Sequence, residues 1–263
     1  MERRVTRRDL LKAAAVAGAF GASGVQGSAS AQEPVPSAPA PASVPDPERI
    51  KQLLQGNQAV KWVFAGDSIT HGARHLMGSR DYTELFSERV RWELGQERHL
   101  VIKTASSGWT LRNIADDLDW RAIQFSPQVF SIHVGMNDCK QGPDGLSAFQ
   151  QLYIETVQRV RQKTSAAIIL HTPNAILFAL DQARAALPQY VSAIREVATK
   201  TNAILVDHYA AWEEYGKTSN IFYLLNDAIH PNSFGHTFMA HLLFRATGLW
   251  DDQCAMCRLF VPR

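Results

Sequence analysis

A serine hydroxyl becomes a nucleophile only when a neighbouring group removes its proton, and this 263-residue chain carries both halves of that arrangement, far apart in sequence. Ser68 lies in Gly66-Asp67-Ser68-Ile69-Thr70, directly after an apolar run, which places it on a strand-to-helix turn with its hydroxyl exposed. Gly-Asp-Ser is also ordinary turn chemistry. The Gly-x-Ser-x-Gly elbow is absent, because position 70 is Thr. Near the carboxyl end stands Asn226-Asp227-Ala228-Ile229-His230-Pro231-Asn232. An Asp and a His three residues apart in a turn allow the carboxylate to hold Nδ1 of the ring and leave Nε2 free to accept a hydroxyl proton. Pro231 favours an extended backbone at His230 and keeps it out of the helix that follows. Helix capping by His230 or Asn232 is the competing reading of the same residues.

Two further segments supply donors for a developing oxyanion. In Ser106-Ser107-Gly108 the glycine lets a backbone N–H approach a ligand closely, and in Gly135-Met136-Asn137-Asp138 the Asn137 side chain offers an NH₂ group. Each alone is an ordinary loop.

Positioning these four segments requires a particular scaffold. Short apolar runs at Val60–Ala65, Leu100–Thr104, Val129–Val134, Ala167–Leu170 and Ala203–Val206 read as strands. Amphipathic stretches at Tyr82–Leu94, Leu111–Ile123, Leu146–Gln162, Leu187–Thr199 and about Asn232–Ala246 read as helices. Nearly all-apolar strands alternating with helices imply an α/β domain whose parallel sheet is covered on both faces. Ligands bind such sheets at the carboxyl ends of the strands, where Ser68, Gly108 and Asn137 all fall. Asp67 and Asp138 are expected to brace the loops beside them.

The four blocks together resemble the SGNH hydrolases, also called GDSL esterases and lipases: Ser68 in GDSIT, Gly108 after the second strand, Asn137 in GMND, and Asp227 with His230 in DAIH. The resemblance spans residues 60 to 240. It implies a flavodoxin-like three-layer α/β/α sandwich with a central parallel sheet of about five strands. It also implies a Ser68-His230-Asp227 triad and an oxyanion hole made by the Ser68 N–H, the Gly108 N–H and the Asn137 side chain. No cofactor is implied.

The remaining features bound partners and location. Thr6-Arg7-Arg8-Asp9-Leu10-Leu11-Lys12 precedes an Ala/Gly-rich run from Ala13 to Val25 and then Ala29-Ser30-Ala31. This is read as a twin-arginine-type export signal over residues 1–31, cleaved after Ala31. The apolar run is too short to span a bilayer, so no stable membrane insertion is expected after cleavage, and the mature protein is expected in the periplasm or outside the cell. Residues 32–47, rich in Pro, Ala and Ser, read as a linker, and 48–263 as one catalytic domain. Without residues 1–31 the chain carries 22 basic and 23 acidic residues, a net charge of −1, which disfavours nucleic acid as a partner.

His71 and His75 are spaced i, i+4, but no His-Glu-x-x-His is present; they read as loop residues near the site mouth, and no metal is expected. The glycines at 18, 21 and 24 fall inside the export signal, and no phosphate-binding Gly-x-x-x-x-Gly-Lys occurs. In an oxidising compartment Cys254 and Cys257 are expected to pair, leaving Cys139 buried beside Asp138.

The expected activity is two-step ester hydrolysis, with short-acyl or carbohydrate O-acetyl esters as substrates. Trp109 is expected to wall the acyl side, and Arg74, Arg80 and Asp81 to form a polar rim. A lysophospholipase or lipase, and a non-catalytic exported carbohydrate-binding protein, are the alternatives. Oligomeric state is not legible.

Overall fold

The computed structural model describes residues 44–263. The export signal, the Ala31 cleavage site and nearly all of the linker lie outside the described residues. The expected linker boundary shifts by two residues, because helix α1 (Asp46–Gln55) begins inside it. Proline is favourable in the first turn of a helix, where its missing N–H would have no partner. Asp46 then anchors the helix to the domain, its Oδ2 accepting from Ile168 N at 3.1 Å and Arg161 Nη2 at 2.5 Å.

The chain continues through β1 (Lys61–Gly66), the single turn α2 (Ser68–His71), α3 (Tyr82–Glu88), β2 (Leu100–Lys103), α4 (Leu111–Asp116) and α5 (Leu118–Arg121). Then follow β3 (Val129–His133), α6 (Leu146–Lys163), β4 (Ala167–His171), α7 (Leu187–Thr201), β5 (Ile204–Val206), α8 (His208–Thr218) and α9 (Ser233–Ala246). All four strand pairings are parallel, in the order β2-β1-β3-β4-β5. Helices α3 and α9 cover one face and α4, α6 and α7 the other, giving the three-layer α/β/α sandwich that the strand–helix alternation implies.

Side-chain alternation along β1 builds one face of the core. Trp62 and Phe64 both meet Phe86 of α3 edge-on, with centroids 5.0 and 5.3 Å apart, and Phe86 stacks on Phe244 of α9 at 6.4 Å. On the other face, Phe149 of α6 packs against Tyr190 of α7 at 4.9 Å. Strands β3 and β4 are buried along their whole length, which is why they read as mostly apolar runs with only Ser131, His133 and His171 polar.

The strand order fixes where a ligand can enter. From β1 the chain steps outward to β2, then returns across β1 to β3, so the loops on either side of β1 diverge and open a crevice at the carboxyl edge. Among the described residues, no helix is long and apolar enough to cross a membrane.

Candidate active site

Ser68 sits at that crevice. Gly66 ends β1 packed so tightly that a Cβ there would lie 2.4 Å from Thr70 Oγ1 and 2.8 Å from the His133 carbonyl, which allows the chain to turn sharply. Asp67 then caps α2, its Oδ1 accepting from Ile69 N at 2.9 Å. Ser68 is thereby the first residue of a helical turn, where backbone N–H groups lack intrahelical acceptors. Its N–H has no partner among the described residues. Its Oγ lies 2.9 Å from His230 Nε2.

His230 is held by a compact turn. Leu225 and Pro231 form an antiparallel bridge, and Asn226 N donates to the His230 carbonyl at 2.8 Å. Asp227 Oδ1 accepts from Ile229 N at 2.9 Å and His230 N at 2.8 Å, while Oδ2 is 2.7 Å from His230 Nδ1. Burial alone would raise the Asp227 carboxyl, but those two backbone donors and the imidazole outweigh it and hold it below the ordinary carboxylate range. Of the two capping candidates it is Asn232 that caps the helix. Asn232 Oδ1 accepts from Phe234 N at 2.9 Å and Gly235 N at 3.0 Å and starts α9, so His230 faces Ser68 instead.

The remaining two blocks converge on the same edge. Gly108 has φ +81, a left-handed conformation that glycine adopts without strain, and its N–H has no partner among the described residues. Asn137 Nδ2 donates to the Trp109 carbonyl at 3.0 Å, which leaves one amide hydrogen for another acceptor. The sequence reading thus has all five residues, Ser68, Gly108, Asn137, Asp227 and His230, at one edge of one sheet.

Asp138 ties the two donor loops together, its carboxylate accepting from Leu111 N at 2.8 Å and Gly135 N at 3.0 Å. Burial pushes Asp67 up to about 7 and Asp138 up to about 6, against their backbone donors. Both brace loops, as expected. Cys139 is buried beside them, with its Sγ–H on the Met136 carbonyl at 3.3 Å.

Two expectations need correction. Asp81 is not part of a solvent rim: it is buried, caps α3 through Thr83 N and Glu84 N, and pairs with Lys103. Cys254 and Cys257 are free thiols, with Cys257 N donating to Cys254 Sγ at 3.1 Å in a tight turn. Trp109 packs under the Arg121 guanidinium, 4.2 Å from the ring centroid, and its carbonyl is what touches Asn137.

Two contacts had no local signal in the sequence. His75 stacks on His230, with centroids 3.4 Å apart and planes within 8°, and its Nδ1 is 3.8 Å from Asp227 Oδ2. Arg184 reaches Asn137 from the loop after β4, Nη2 to Oδ1 at 3.3 Å. His75, Asp227 and His230 place three donor atoms within 4.8 Å of one another. The two rings are parallel, however, so their in-plane lone pairs run side by side rather than toward one point, which is poor geometry for a shared cation.

Residues 64–238 match the model of the GDSL-like lipase/acylhydrolase family. An acetylxylan esterase from Geobacillus stearothermophilus is 28% identical over 205 residues, covering 72% of this chain and 94% of that protein. The crystal structure of that organism's acetylxylan esterase Axe2 superposes with a TM-score of 0.61 at 25% identity, covering 74% of this chain and 97% of Axe2. LAE5, an alpha/beta hydrolase from the metagenome of Lake Arreo, Spain, gives a TM-score of 0.64 at 25% identity, with 74% and 99% covered. The sheet order, the family match and these relatives lead to one conclusion: the chain belongs to the GDSL-like lipase/acylhydrolase family and is a carboxylic-ester hydrolase.

Proposed function

We propose that Ser68, His230 and Asp227 form a catalytic triad that hydrolyses acetyl or other short-acyl esters of carbohydrates, outside the cytoplasm after twin-arginine-type export. The observation that carries the catalytic part is the unbroken chain of contacts from Asp227 Oδ2 to His230 Nδ1, 2.7 Å, and from His230 Nε2 to Ser68 Oγ, 2.9 Å. The substrate class is supported by the likeness to an acetylxylan esterase.

In the first half-reaction Ser68 Oγ attacks the ester carbonyl carbon as its proton passes to His230 Nε2. Asp227 accepts the Nδ1–H throughout and stabilises the imidazolium. The carbonyl oxygen becomes an oxyanion within reach of the Ser68 N–H, the Gly108 N–H and the free amide hydrogen of Asn137. His230 returns the proton to the departing alkoxide, leaving an acyl-serine. A water then repeats the sequence, giving its proton to His230 and releasing the acid.

Labelling by a fluorophosphonate probe tests the triad, because only an activated serine reacts. Wild-type protein should label and Ser68→Ala should not; equal labelling of both removes Ser68 from the role. For the substrate, kcat/KM across acyl esters of two to sixteen carbons should peak at acetyl or propionyl. The second reading, a lysophospholipase, is favoured by the exposed apolar side chains of Met77, 83% accessible, and Phe222, 59%, on the segments that carry His75 and lead into Asp227. A series rising to eight carbons or more would select it. Intact mass of protein from the culture medium or periplasm should show a chain beginning at Gln32; one retaining Met1 would overturn the cleavage assignment.

A further inference from the structure

An asparagine side chain is nearly symmetric in shape, so an oxyanion hole that uses one needs something to decide which end faces the substrate. With Nδ2 toward the reacting carbonyl, Asn137 stabilises the developing negative charge. With Oδ1 there, it repels that charge. The Trp109 carbonyl favours the first arrangement through its 3.0 Å contact with Nδ2. That acceptor is a single backbone oxygen on a loop.

We infer that Arg184 is a positioning residue that fixes the amide orientation of Asn137, and that the loop of residues 172–186 sets the oxyanion donor and the histidine base together. This rests on the reading of Asn137 as an oxyanion donor. The Arg184 guanidinium holds residues 136 and 137 at two points: Nε donates to the Met136 carbonyl at 2.8 Å, and Nη2 donates to Asn137 Oδ1 at 3.3 Å. Arginine has no acceptor atom, so a flipped amide would point NH₂ at a cation that can only donate. The guanidinium is itself immobilised. It is buried, and Nη1 pairs with Asp181 on the same turn, three residues earlier. Buried bidentate arginine is costly to arrange unless each donor is used, and here donors face three different acceptors.

The same loop reaches the base. Asn174 Nδ2 donates to the Ile229 carbonyl at 3.1 Å, and Leu177 N donates to the Ala228 carbonyl at 2.9 Å, so residues 174 and 177 grip the turn between Asp227 and His230. One connection therefore touches both arms of the site, the donor through Arg184 and the base through Asn174 and Leu177.

A double-mutant cycle in the full-length enzyme distinguishes positioning from general support of the fold. Hydrolysis of an acetyl ester is measured for Arg184→Met, Asn137→Ala and the double variant. Arg184→Met should lower kcat by about ten- to thirtyfold, with KM changed less than about twofold, because the amide acts on transition-state charge. In the Asn137→Ala background the same substitution should change kcat by less than about twofold, since nothing remains to orient. An equal loss in both backgrounds, or a loss confined to KM, overturns the inference. Should Arg184→Met not fold, Arg184→Lys replaces it: an ammonium keeps the charge beside Asp181 but cannot span the Met136 carbonyl and Asn137 Oδ1 together. A kcat loss that vanishes in the Asn137→Ala background supports the inference, and an unchanged kcat overturns it. Asn137→Ala at wild-type kcat would instead overturn the oxyanion reading, and with it the role of Arg184.

Discussion

Among the described residues, two serine–imidazole pairs continue from the ring to a third side chain, and only one has the surroundings of a catalytic base. At the crevice, Ser68 meets His230, which meets Asp227. Beneath it, Ser131 Oγ lies 2.8 Å from His171 Nε2, and His171 Nδ1 lies 2.9 Å from His208 Nε2. The buried chain is as well formed geometrically. It differs in two respects: its far end is another imidazole where the crevice has a carboxylate, and its serine is sealed in the core. An imidazole that must hold a proton during turnover needs a negative partner and a substrate within reach. Burial drives the inner rings the other way, His133 down to about 3, His236 to about 4, and His171 and His208 well below the ordinary histidine range. Those rings fill the space around Tyr82 as neutral, hydrogen-bonded packing.

The contrast breaks first at the outer histidine. His230→Ala should cost a factor of about 10³ or more in kcat/KM with a loss of only about 1–2 kcal/mol in unfolding free energy, because the ring, 13% accessible, lies at the crevice and not in the core. Near wild-type hydrolysis by this variant would dissolve the distinction. His171→Leu should do the reverse. It strands Ser131 and His208 without their partner, so urea denaturation should show a loss of about 2–4 kcal/mol, with kcat of the folded enzyme within about threefold of wild type. Lost activity at intact stability would put the catalysis in the wrong chain.

Acid should separate the groups further. Below about pH 6.5 the unfolded chain protonates histidines that the folded core keeps neutral, so unfolding free energy should fall as pH drops from 6.5 toward 4.5. Asp67 and Asp138 oppose this, because carboxyls raised to about 7 and about 6 give stability at low pH that is lost as pH rises toward those values. Burial raises Asp46 as well, so four rings stand against three carboxyls, and each net proton changes stability by about 1.4 kcal/mol per pH unit. Urea midpoints that stay constant from pH 4.5 to 6.5 would contradict the assignment of the inner rings as neutral packing.

The smallest effect belongs to His75. Burial and the neighbouring His230 push its pKa below the ordinary value, so it stacks as a neutral ring on the base. His75→Phe should keep kcat/KM within about twofold, and His75→Ala should lower it about three- to tenfold, the worth of one stacked face. If phenylalanine were as damaging as alanine, the ring nitrogen beside Asp227 would be the active part.

Much of this was written locally. The five strands fall within one or two residues of their apolar runs, because the central strands of a parallel sheet are buried on both faces and admit a polar side chain such as Ser131 or His171 only where it is hydrogen-bonded. Ser68, Gly108, Asn137, Asp227 and His230 were legible because each follows a strand or precedes a helix inside a short block of turn residues. Helix α1 was hidden by the prolines at 45 and 47, which read as linker although they suit a helix start. Helix α8, capped by Asp207 through Ala210 N, is not among the amphipathic stretches read from the sequence. His75 reads from sequence only as a loop residue near the site mouth, and Arg184 carries no signal, since each acts on a residue distant in sequence and no spacing rule connects 75 to 230 or 184 to 137. Of nine histidines, His71, His75 and His230 are placed at the site by their motifs, while the buried cluster of His133, His171, His208 and His236 has no sequence signal because only burial brings those rings together.

The loop of residues 172–186 has an engineering consequence. Because it grips the donor at one end and the base turn at the other, a graft or deletion there would misalign two parts of the machinery at once. Even its tip, where Leu180 is 71% accessible, adjoins Asp181, which holds Arg184. Recombination between relatives should therefore tolerate crossovers on either side of this loop but seldom inside it. New substrate preferences are more readily grafted onto the segment of residues 72–80 and onto the turn before Asp227, which border the crevice without holding both Asn137 and His230.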